Sequence, residues 1–184
     1  YFNQYMAIKD IIKNKRIGNP AVARTTRAGY LKNVSSWFKS FSRSGGVILD
    51  LMIHDIDFLR WCFGEVSRVY AKNLISKRDT GEDYALAILR FKNGVIAHLE
   101  ASWAHHGGFR TSVEIAGDRG LIFYDSRHPT ALSIELSNGR VFKDNPVEED
   151  GYLMETKEFL NYLNGGNVPR IVLEDAYKTL EVSL

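Results

Sequence analysis

The sequence of 184 residues predicts an α+β fold, in which helices pack on one face of an open and mostly antiparallel sheet. Apolar residues recur with helical spacing near both ends and in one long stretch around residue 50, whereas six segments between residues 66 and 136 alternate with a period of two. Tight turns at residues 92–94 and 137–139 indicate hairpins, which make neighbouring strands antiparallel. A helix, a strand, a long helix, a run of strands and then helices is typical of the α+β class.

The chain opens with a short helix and a strand. Residues 5–15 (YMAIKDIIKNK) place apolar side chains on one side and lysines opposite, and this amphipathic helix ends before Gly18 and Pro20. Residues 21–30 (AVARTTRAGY) follow as a strand. Residues 32–46 are rich in serine and lysine, and we expect a long loop folded over the surface.

The rest of the chain consists of a long helix, the strands and two closing helices. The long helix runs from about Gly46 to Phe63 and ends at Gly64, where a glycine commonly follows a helix. The six strands and the closing helices cover residues 66–74, 83–91, 95–104, 110–117, 121–126, 131–136, 151–166 and 173–184. We therefore expect one domain over residues 1–184.

Composition excludes several classes of protein. The net charge is +2 with both signs interspersed, so the chain lacks the basic stripe with which proteins bind nucleic acid. No apolar stretch reaches the roughly 18 residues of a membrane span. The single cysteine, Cys62, cannot form an internal disulfide, which is typical of a cytoplasmic protein. Because position 1 is tyrosine and the last helix is still in register at the final residue, we expect a piece of a longer protein.

The long helix carries a polar seam in an otherwise apolar surface. The seam consists of Asp50, His54, Asp57 and Trp61. At 100° per residue these positions fall within about 60° of one another, whereas Asp55 points elsewhere. Buried carboxylates and imidazoles are costly unless they are paired or face a polar cavity. The seam is therefore either satisfied internally or lines a cleft.

Asp50 and His54 could form a proton-transfer pair. One helical turn places their Cβ atoms about 6 Å apart, so the two side chains can share a hydrogen bond. A carboxylate that accepts from one imidazole nitrogen leaves the other nitrogen free to take a proton from an alcohol. The alternative is that Asp50 caps backbone amides and His54 is a satisfied core histidine. The spacing alone favours this alternative, while Gly45 and Gly46 favour the close approach of a ligand.

Residues 44–57 (SGGVILDLMIHDID) resemble the signature of the glucose-fructose oxidoreductase, inositol dehydrogenase and rhizopine catabolism protein (Gfo/Idh/MocA) family, G-G-G-x-L-x-D-x-G-x-H-x-x-D. The positions that match in register are Gly45, Gly46, Ile48, Asp50, His54 and Asp57. Ser44 and Met52 replace glycines of the pattern, and Met52 adds bulk that could reshape the pocket or the packing behind it. Residues 11–20, 115–125 and 159–182 also resemble family segments, in the expected order.

The resemblance implies a two-domain oxidoreductase of which this chain is the second domain. The expected fold is the glyceraldehyde-3-phosphate dehydrogenase-like carboxy-terminal domain, which binds substrate and forms oligomers. The first domain of the family, a Rossmann domain, binds NAD or NADP and supplies a catalytic lysine; its glycine-rich loop and its Glu-Lys-Pro do not occur here. By similarity, His54 is the acid/base on the substrate hydroxyl and Asp50 is its orienting partner.

Two aromatic side chains are candidates for substrate contact. Trp37 could stack on a sugar ring, although a loop aromatic is more often a packing anchor. His106 is slightly favoured over His105, because adjacent strand residues face opposite sides and one of them at most looks into a cleft. A zinc site built from histidines 54, 98, 105 and 106 lacks a recognised ligand spacing, so we expect no metal. We interpret Arg24 and Arg27 as part of a solvated strand face.

The sequence thus predicts the substrate domain of an NAD(P)-dependent oxidoreductase. Its substrate is a secondary alcohol of a sugar, inositol or related polyol, and the chain alone is inactive. We expect a homodimer or homotetramer formed through the sheet. The rival hypothesis is a non-catalytic oligomerisation or ligand-binding domain whose Asp50–His54 pair is structural.

Overall fold

The computed structural model describes residues 2–30, 37, 40–75, 83–129, 131–146 and 150–184. The helices are α1 (Asn3–Lys13), α2 (Phe41–Ser44), a π-helical segment (Ile48–Met52) that continues into α3 (Ile53–Phe63), α4 (Gly151–Leu163) and α5 (Leu173–Ser183). The strands are β1 (Pro20–Ala28), β2 (Val66–Ile75), β3 (Asp83–Phe91), β4 (Ile96–Ser102), β5 (Arg110–Gly117), β6 (Gly120–Asp125), β7 (Leu132–Leu136) and β8 (Val141–Asp144). The α+β prediction is confirmed.

The eight strands form one open sheet in the order β2-β3-β4-β1-β5-β6-β7-β8. Neighbouring strands are antiparallel except for β1 and β4, which run parallel with Ala28 opposite Ser102. β1 therefore lies between two strands that are far from it in sequence. Because β1 and β4 end at the same edge of the sheet, the residues that follow them, Gly29 and Trp103, are brought together there.

The core lies between one face of the sheet and the helices. Alternate residues of β4 illustrate the pattern, since Ala97, Leu99 and Ala101 are fully buried while His98 and Glu100 between them are exposed. This period of two places one side of β4 against the helices and leaves the other side open. The prediction of helices packed on one sheet face is confirmed.

The long helix opens with the π-helical segment rather than with a regular α-helical turn. Gly45 and Gly46 precede it at φ 75° and 74°, a left-handed conformation that favours glycine. A Cβ on Gly45 would lie 2.5 Å from a methyl carbon of Leu49, so this glycine is also required by close packing. Met52, which replaces a glycine of the family pattern, is 1% exposed and belongs to the core behind the segment.

In the described part of the chain, no helix is both long and apolar enough to cross a membrane.

α5 packs against α3, whereas α4 leaves large apolar side chains exposed, among them Tyr152 at 73% and Leu163 at 61% exposure. β8, which the sequence did not predict, is exposed at every position. It lacks the apolar alternation by which the other strands were recognised.

Candidate active site

The candidate site lies where the π-helical segment approaches the common edge of β1 and β4. Asp50 sits on the π-helical segment and is half-buried, and His54 sits in the first turn of α3 with its side chain exposed. A cavity of about 290 Å³ lies near Gly45 and Gly46, but neither Asp50 nor His54 lines it. Of the two predicted catalytic residues, His54 is thus exposed and Asp50 is partly accessible.

The hydrogen bond of Asp50 goes to the sheet and not to His54. The indole Nε1 of Trp103 donates to Asp50 Oδ2 at 2.7 Å. Across the described residues, no hydrogen bond joins Asp50 to His54, although the two groups interact electrostatically. The geometry thus differs from the expected Asp–His hydrogen bond, while the catalytic roles of both residues stay a prediction.

Arg27 forms a buried ion pair beneath the site. Its Nε donates to Asp55 Oδ2 at 3.2 Å and its Nη2 to Asp55 Oδ1 at 3.0 Å, and Nη2 also donates to the Tyr5 hydroxyl at 3.2 Å. The side chains of Arg27 and Asp55 are only 13% and 2% exposed. Burial raises the pKa of Tyr5 to about 12, so this residue remains a neutral phenol that accepts from Arg27.

The prediction of a solvated strand face is wrong for Arg27. Arg24 does lie on the open face, where its side chain is 57% exposed and pairs with Glu114. The two arginines are three positions apart on β1, and an odd spacing points them to opposite faces of a strand. Arg27 consequently faces the helices, where Asp55 of α3 satisfies its charge.

The electrostatic environment favours a neutral His54. Burial lowers the pKa of the imidazole, and the charge of Arg27 lowers it further, against an opposing effect of three carboxylates: Asp55, Asp50 and Asp57. Burial raises the pKa of Asp50, while the Trp103 hydrogen bond and the proximity of His54 oppose that shift. A neutral imidazole beside a carboxylate is the protonation state that a general base requires.

The other two residues of the predicted seam contact neighbouring helices, Asp57 contacting α5 and Trp61 contacting α1. The Thr179 hydroxyl donates to Asp57 Oδ1 at 2.9 Å and accepts from Arg60 Nη1 at 2.7 Å. Trp61 lies at the surface, with the ammonium group of Lys9 5.3 Å from its ring. The seam is thus divided: Asp50 and His54 face the sheet edge, and Asp57 is satisfied by a neighbouring helix.

The two residues predicted to contact the substrate, Trp37 and His106, are both exposed. Trp37 is 45% exposed, and its sequence neighbours at 31–36 and 38–39 lie outside the described residues. The ring of His106 stacks on Tyr30 with centroids 4.0 Å apart, and this side chain is exposed. His105 is half-buried, with an Nε2 atom that has no hydrogen-bond partner in the part of the chain described. Substrate contact by Trp37 and His106 stays a prediction.

A zinc site of histidines 54, 98, 105 and 106 gains no support from the described residues. No group of three or more His, Cys, Asp or Glu side chains within the described ranges is arranged to hold a metal ion. Burial raises the pKa of the Cys62 thiol to about 12, so this cysteine stays a protonated, core-packing side chain.

Sequence reasoning missed Trp103 and the partner of Arg27. Trp103 directly follows β4 and precedes the two histidines, so its position at a strand end next to candidate residues was an available signal. The partner of Arg27 was not readable, because it depends on how α3 is placed over β1.

The class of protein follows from the fold and from a family model. The open α+β architecture is shared with a solved oxidoreductase structure, and the family model describes a C-terminal domain. The chain belongs to the GFO/IDH/MocA family, whose C-terminal domain matches residues 5–123. It is 28% identical over 187 residues to myo-inositol 2-dehydrogenase of Thermotoga maritima, an alignment that covers 96% of this chain and 55% of that protein. The chain therefore spans about half the length of the relatives that it matches.

Solved structures share the fold. An oxidoreductase from Thermotoga maritima superimposes with a TM-score of 0.86 at 21% identity, covering 100% of this chain and 56% of that one. An oxidoreductase from Agrobacterium radiobacter, in complex with NAD+, L-tartaric acid and magnesium, gives a TM-score of 0.77 at 19% identity, with coverage of 99% and 58%. At these identities the likeness concerns the fold alone.

Proposed function

We propose that this chain is the substrate-binding and catalytic half of an NAD(P)-dependent oxidoreductase that acts on a secondary alcohol of a sugar, inositol or related polyol. The observation that carries the proposal is the proximity, one helical turn apart, of a half-buried Asp50 and an exposed His54 whose pKa is lowered. The name of the Thermotoga relative, an inositol dehydrogenase, supports the substrate class.

A second domain would supply the dinucleotide. Residues 1–184 contain no glycine-rich phosphate-binding turn of the type G-x-G-x-x-G, and the candidate site is open rather than enclosed. The candidate site offers a carboxylate and an imidazole for the substrate but no loop that binds phosphates. The dinucleotide would therefore be bound by another domain. The NAD+ in the Agrobacterium complex supports a nicotinamide dinucleotide as the class of cofactor. We include a cytoplasmic location in the proposal because of the single cysteine.

In the proposed reaction the alcohol carbon loses a hydride and its hydroxyl loses a proton. The nicotinamide, when bound, accepts the hydride. His54 in its neutral form accepts the hydroxyl proton, and the carboxylate of Asp50 stabilises the imidazolium that results. The carbonyl product and one proton on His54 complete the balance, and the same steps in reverse reduce a ketone.

The test uses the intact protein that carries this chain. Asp50→Asn and His54→Ala should each lower kcat/KM for a polyol by about 10²-fold to 10⁴-fold, the contribution expected of acid–base catalysis, with NAD affinity nearly unchanged. Asp10→Asn is the matched control, because Asp10 is exposed on α1. Unchanged turnover in both site variants would overturn the catalytic assignment.

A second experiment tests the division of labour. Calorimetry on the 184-residue chain alone should show no binding of NAD or NADP and no turnover. Clear dinucleotide binding by this chain would contradict the proposal of a separate cofactor domain.

The alternative is a non-catalytic oligomerisation or ligand-binding domain, and one observation favours it: Asp50 bonds to Trp103 rather than to His54.

Self-association through the sheet is part of both proposals. The face away from the helices carries half-buried Leu86, Ile88 and Phe123. Ile88→Lys should convert a dimer or tetramer into smaller species in sedimentation experiments, and an unchanged sedimentation coefficient would contradict an interface on this face.

A further inference from the structure

Trp103 ties Asp50 to the edge of the sheet. The backbone N–H of Trp103 donates to the carbonyl of Asp83 at 2.9 Å, which extends the β3–β4 pairing by one residue. Its side chain crosses to the π-helical segment, where Nε1 lies 2.7 Å from Asp50 Oδ2. The indole therefore connects a fixed strand end to a carboxylate on a different element.

Gly29 provides the seat for this indole. The N–H of Gly29 donates to the carbonyl of Ser102 at 2.8 Å, so the glycine is itself held in the β1–β4 pairing. A Cβ added to Gly29 would lie 2.9 Å from Cζ3 of Trp103 and 3.2 Å from Cδ2 of Phe109. A side chain at position 29 would therefore require the indole of Trp103 to move.

The bond has a direction that suits a catalytic carboxylate. Indole Nε1–H can only donate, so its partner must be an acceptor, and an ionised carboxylate is the strongest acceptor among side chains. The bond occupies Oδ2 alone. Within the described part of the chain, Oδ1 accepts no hydrogen bond and remains available to His54 or to a substrate hydroxyl.

We propose that Trp103, seated on Gly29, is a positioning residue of the oxidoreductase site: it holds the Asp50 carboxylate in one orientation and leaves Oδ1 for the imidazole of His54. The inference rests on the proposed function, because it assigns Trp103 a role in that same reaction. Trp103 touches neither substrate nor cofactor in this role. It acts through Asp50. The carboxylate is oriented by a hydrogen bond from the sheet edge, in place of the expected direct bond from His54.

The consequence for pH dependence has a definite sign. Hydrogen bonds to a carboxylate favour its ionised form, so loss of the Trp103 donor raises the pKa of Asp50 beyond the increase that burial already causes. The charged groups near the pair are His54, Asp55 and Asp57 on the same helix and Arg27 on β1. Arg27 does not replace the lost donor, because it is bonded to Asp55 and Tyr5.

The first test is kinetic and uses the intact protein. Trp103→Phe keeps an aromatic ring but removes the donor, and it should lower kcat by about 10-fold to 100-fold, as expected when a reacting group is misplaced by about 1 Å, with little change in KM. The acid limb of the kcat/KM profile should move to higher pH. Trp61→Phe is the control, because Trp61 lies on α3, the helix that carries His54, but contacts Lys9 instead of Asp50. A Trp103→Phe profile identical to that of Trp61→Phe would overturn the inference.

The second test needs no turnover. In the intact protein labelled with ¹⁵N-tryptophan, the Trp103 indole resonance should shift as Asp50 titrates, and that shift should vanish in Asp50→Asn. Gly29→Ala, which leaves both bonded residues in place, should alter the same resonance and lower kcat in the manner of Trp103→Phe. If the indole resonance of Trp103 shows the same pH dependence in Asp50→Asn as in the wild type, the inference is overturned.

The two proposals fail in different ways. If Asp50→Asn and His54→Ala leave turnover intact, the proposed function fails, whatever Trp103 does. If these two variants abolish turnover while Trp103→Phe changes neither kcat nor the acid limb, the function stands and only the positioning role of Trp103 is lost.

Discussion

Arg27 and Asp55 form a two-point ion pair between β1 and α3, with Nε–Oδ2 and Nη2–Oδ1 distances of 3.2 and 3.0 Å. The pair joins β1, which Gly29 follows directly, to α3, which begins one residue before His54. It therefore fixes the distance between the two elements that build the candidate site.

Breaking this pair should destabilise the fold strongly. Arg27→Ala leaves the nearly inaccessible Asp55 without its partner, and we expect a loss of about 3–5 kcal/mol in the free energy of unfolding. Urea denaturation followed by circular dichroism measures it. Arg24→Ala, which removes an exposed arginine from the same strand, is the control and should cost no more than about 1 kcal/mol. Equal losses in the two variants would contradict the structural role of the pair.

The lowered pKa of His54 should appear in the pH dependence of stability. In the folded state the pKa lies below its ordinary value of 6.5, so below that pH the unfolded chain binds more protons than the folded chain. Stability should therefore be highest above about pH 7 and should fall as the pH decreases towards about 5. Denaturation midpoints across this range provide the measurement. His54→Gln should flatten the slope, and an unchanged slope would show that other groups cause it.

Met52 should contribute to the core rather than to the site. Met52→Ala removes most of a buried side chain and should cost about 2–5 kcal/mol, whereas Met52→Leu conserves volume and should cost less than about 1.5 kcal/mol. Leu153→Ala, at a position 50% exposed, is a surface control expected within about 0.5 kcal/mol of the wild type. Thermal unfolding of the three variants tests the order, which a neutral Met52→Ala would contradict.

Thr179 should hold α5 against α3. Its hydroxyl is both the donor to Asp57 and an acceptor from Arg60, so Thr179→Val leaves two polar groups with one partner fewer and should cost about 1–3 kcal/mol. Thr156→Val is the matched control, since the hydroxyl of Thr156 donates only to the carbonyl of Tyr152 on an exposed helix. Hydrogen exchange should also show faster exchange of α5 amides in Thr179→Val alone.

The elements with strong periodicity were predictable from the sequence, and those defined by long-range placement were not. β3 and β4 alternate apolar and polar residues, and both were predicted close to their observed bounds. β8 has no buried position, and so no alternation marked it. The position of β1 between β4 and β5 depends on pairing between residues distant in sequence, which no local pattern contains.

The same division holds for the candidate site. Asp50 and His54 stood out because polar residues are rare in an apolar helix. Their shared hydrogen bond was an inference from regular helical geometry, and it fails where the π-helical segment and Trp103 supply a different arrangement. Asp57 looked equivalent to them by spacing, but its partner Thr179 comes from the far end of the chain.

The insertion of β1 between β4 and β5 has a consequence for the order in which the protein assembles. During synthesis β1 precedes both of its neighbours, β4 and β5. It therefore has no hydrogen-bonded strand partner until those strands have been made. Until it docks, the β2–β4 and β5–β8 meanders are separate units, each with an unpaired edge. Pairings that close such long loops are slow to form. The edge at which Asp50, Trp103 and Gly29 meet can therefore form only after β1 has docked against β4.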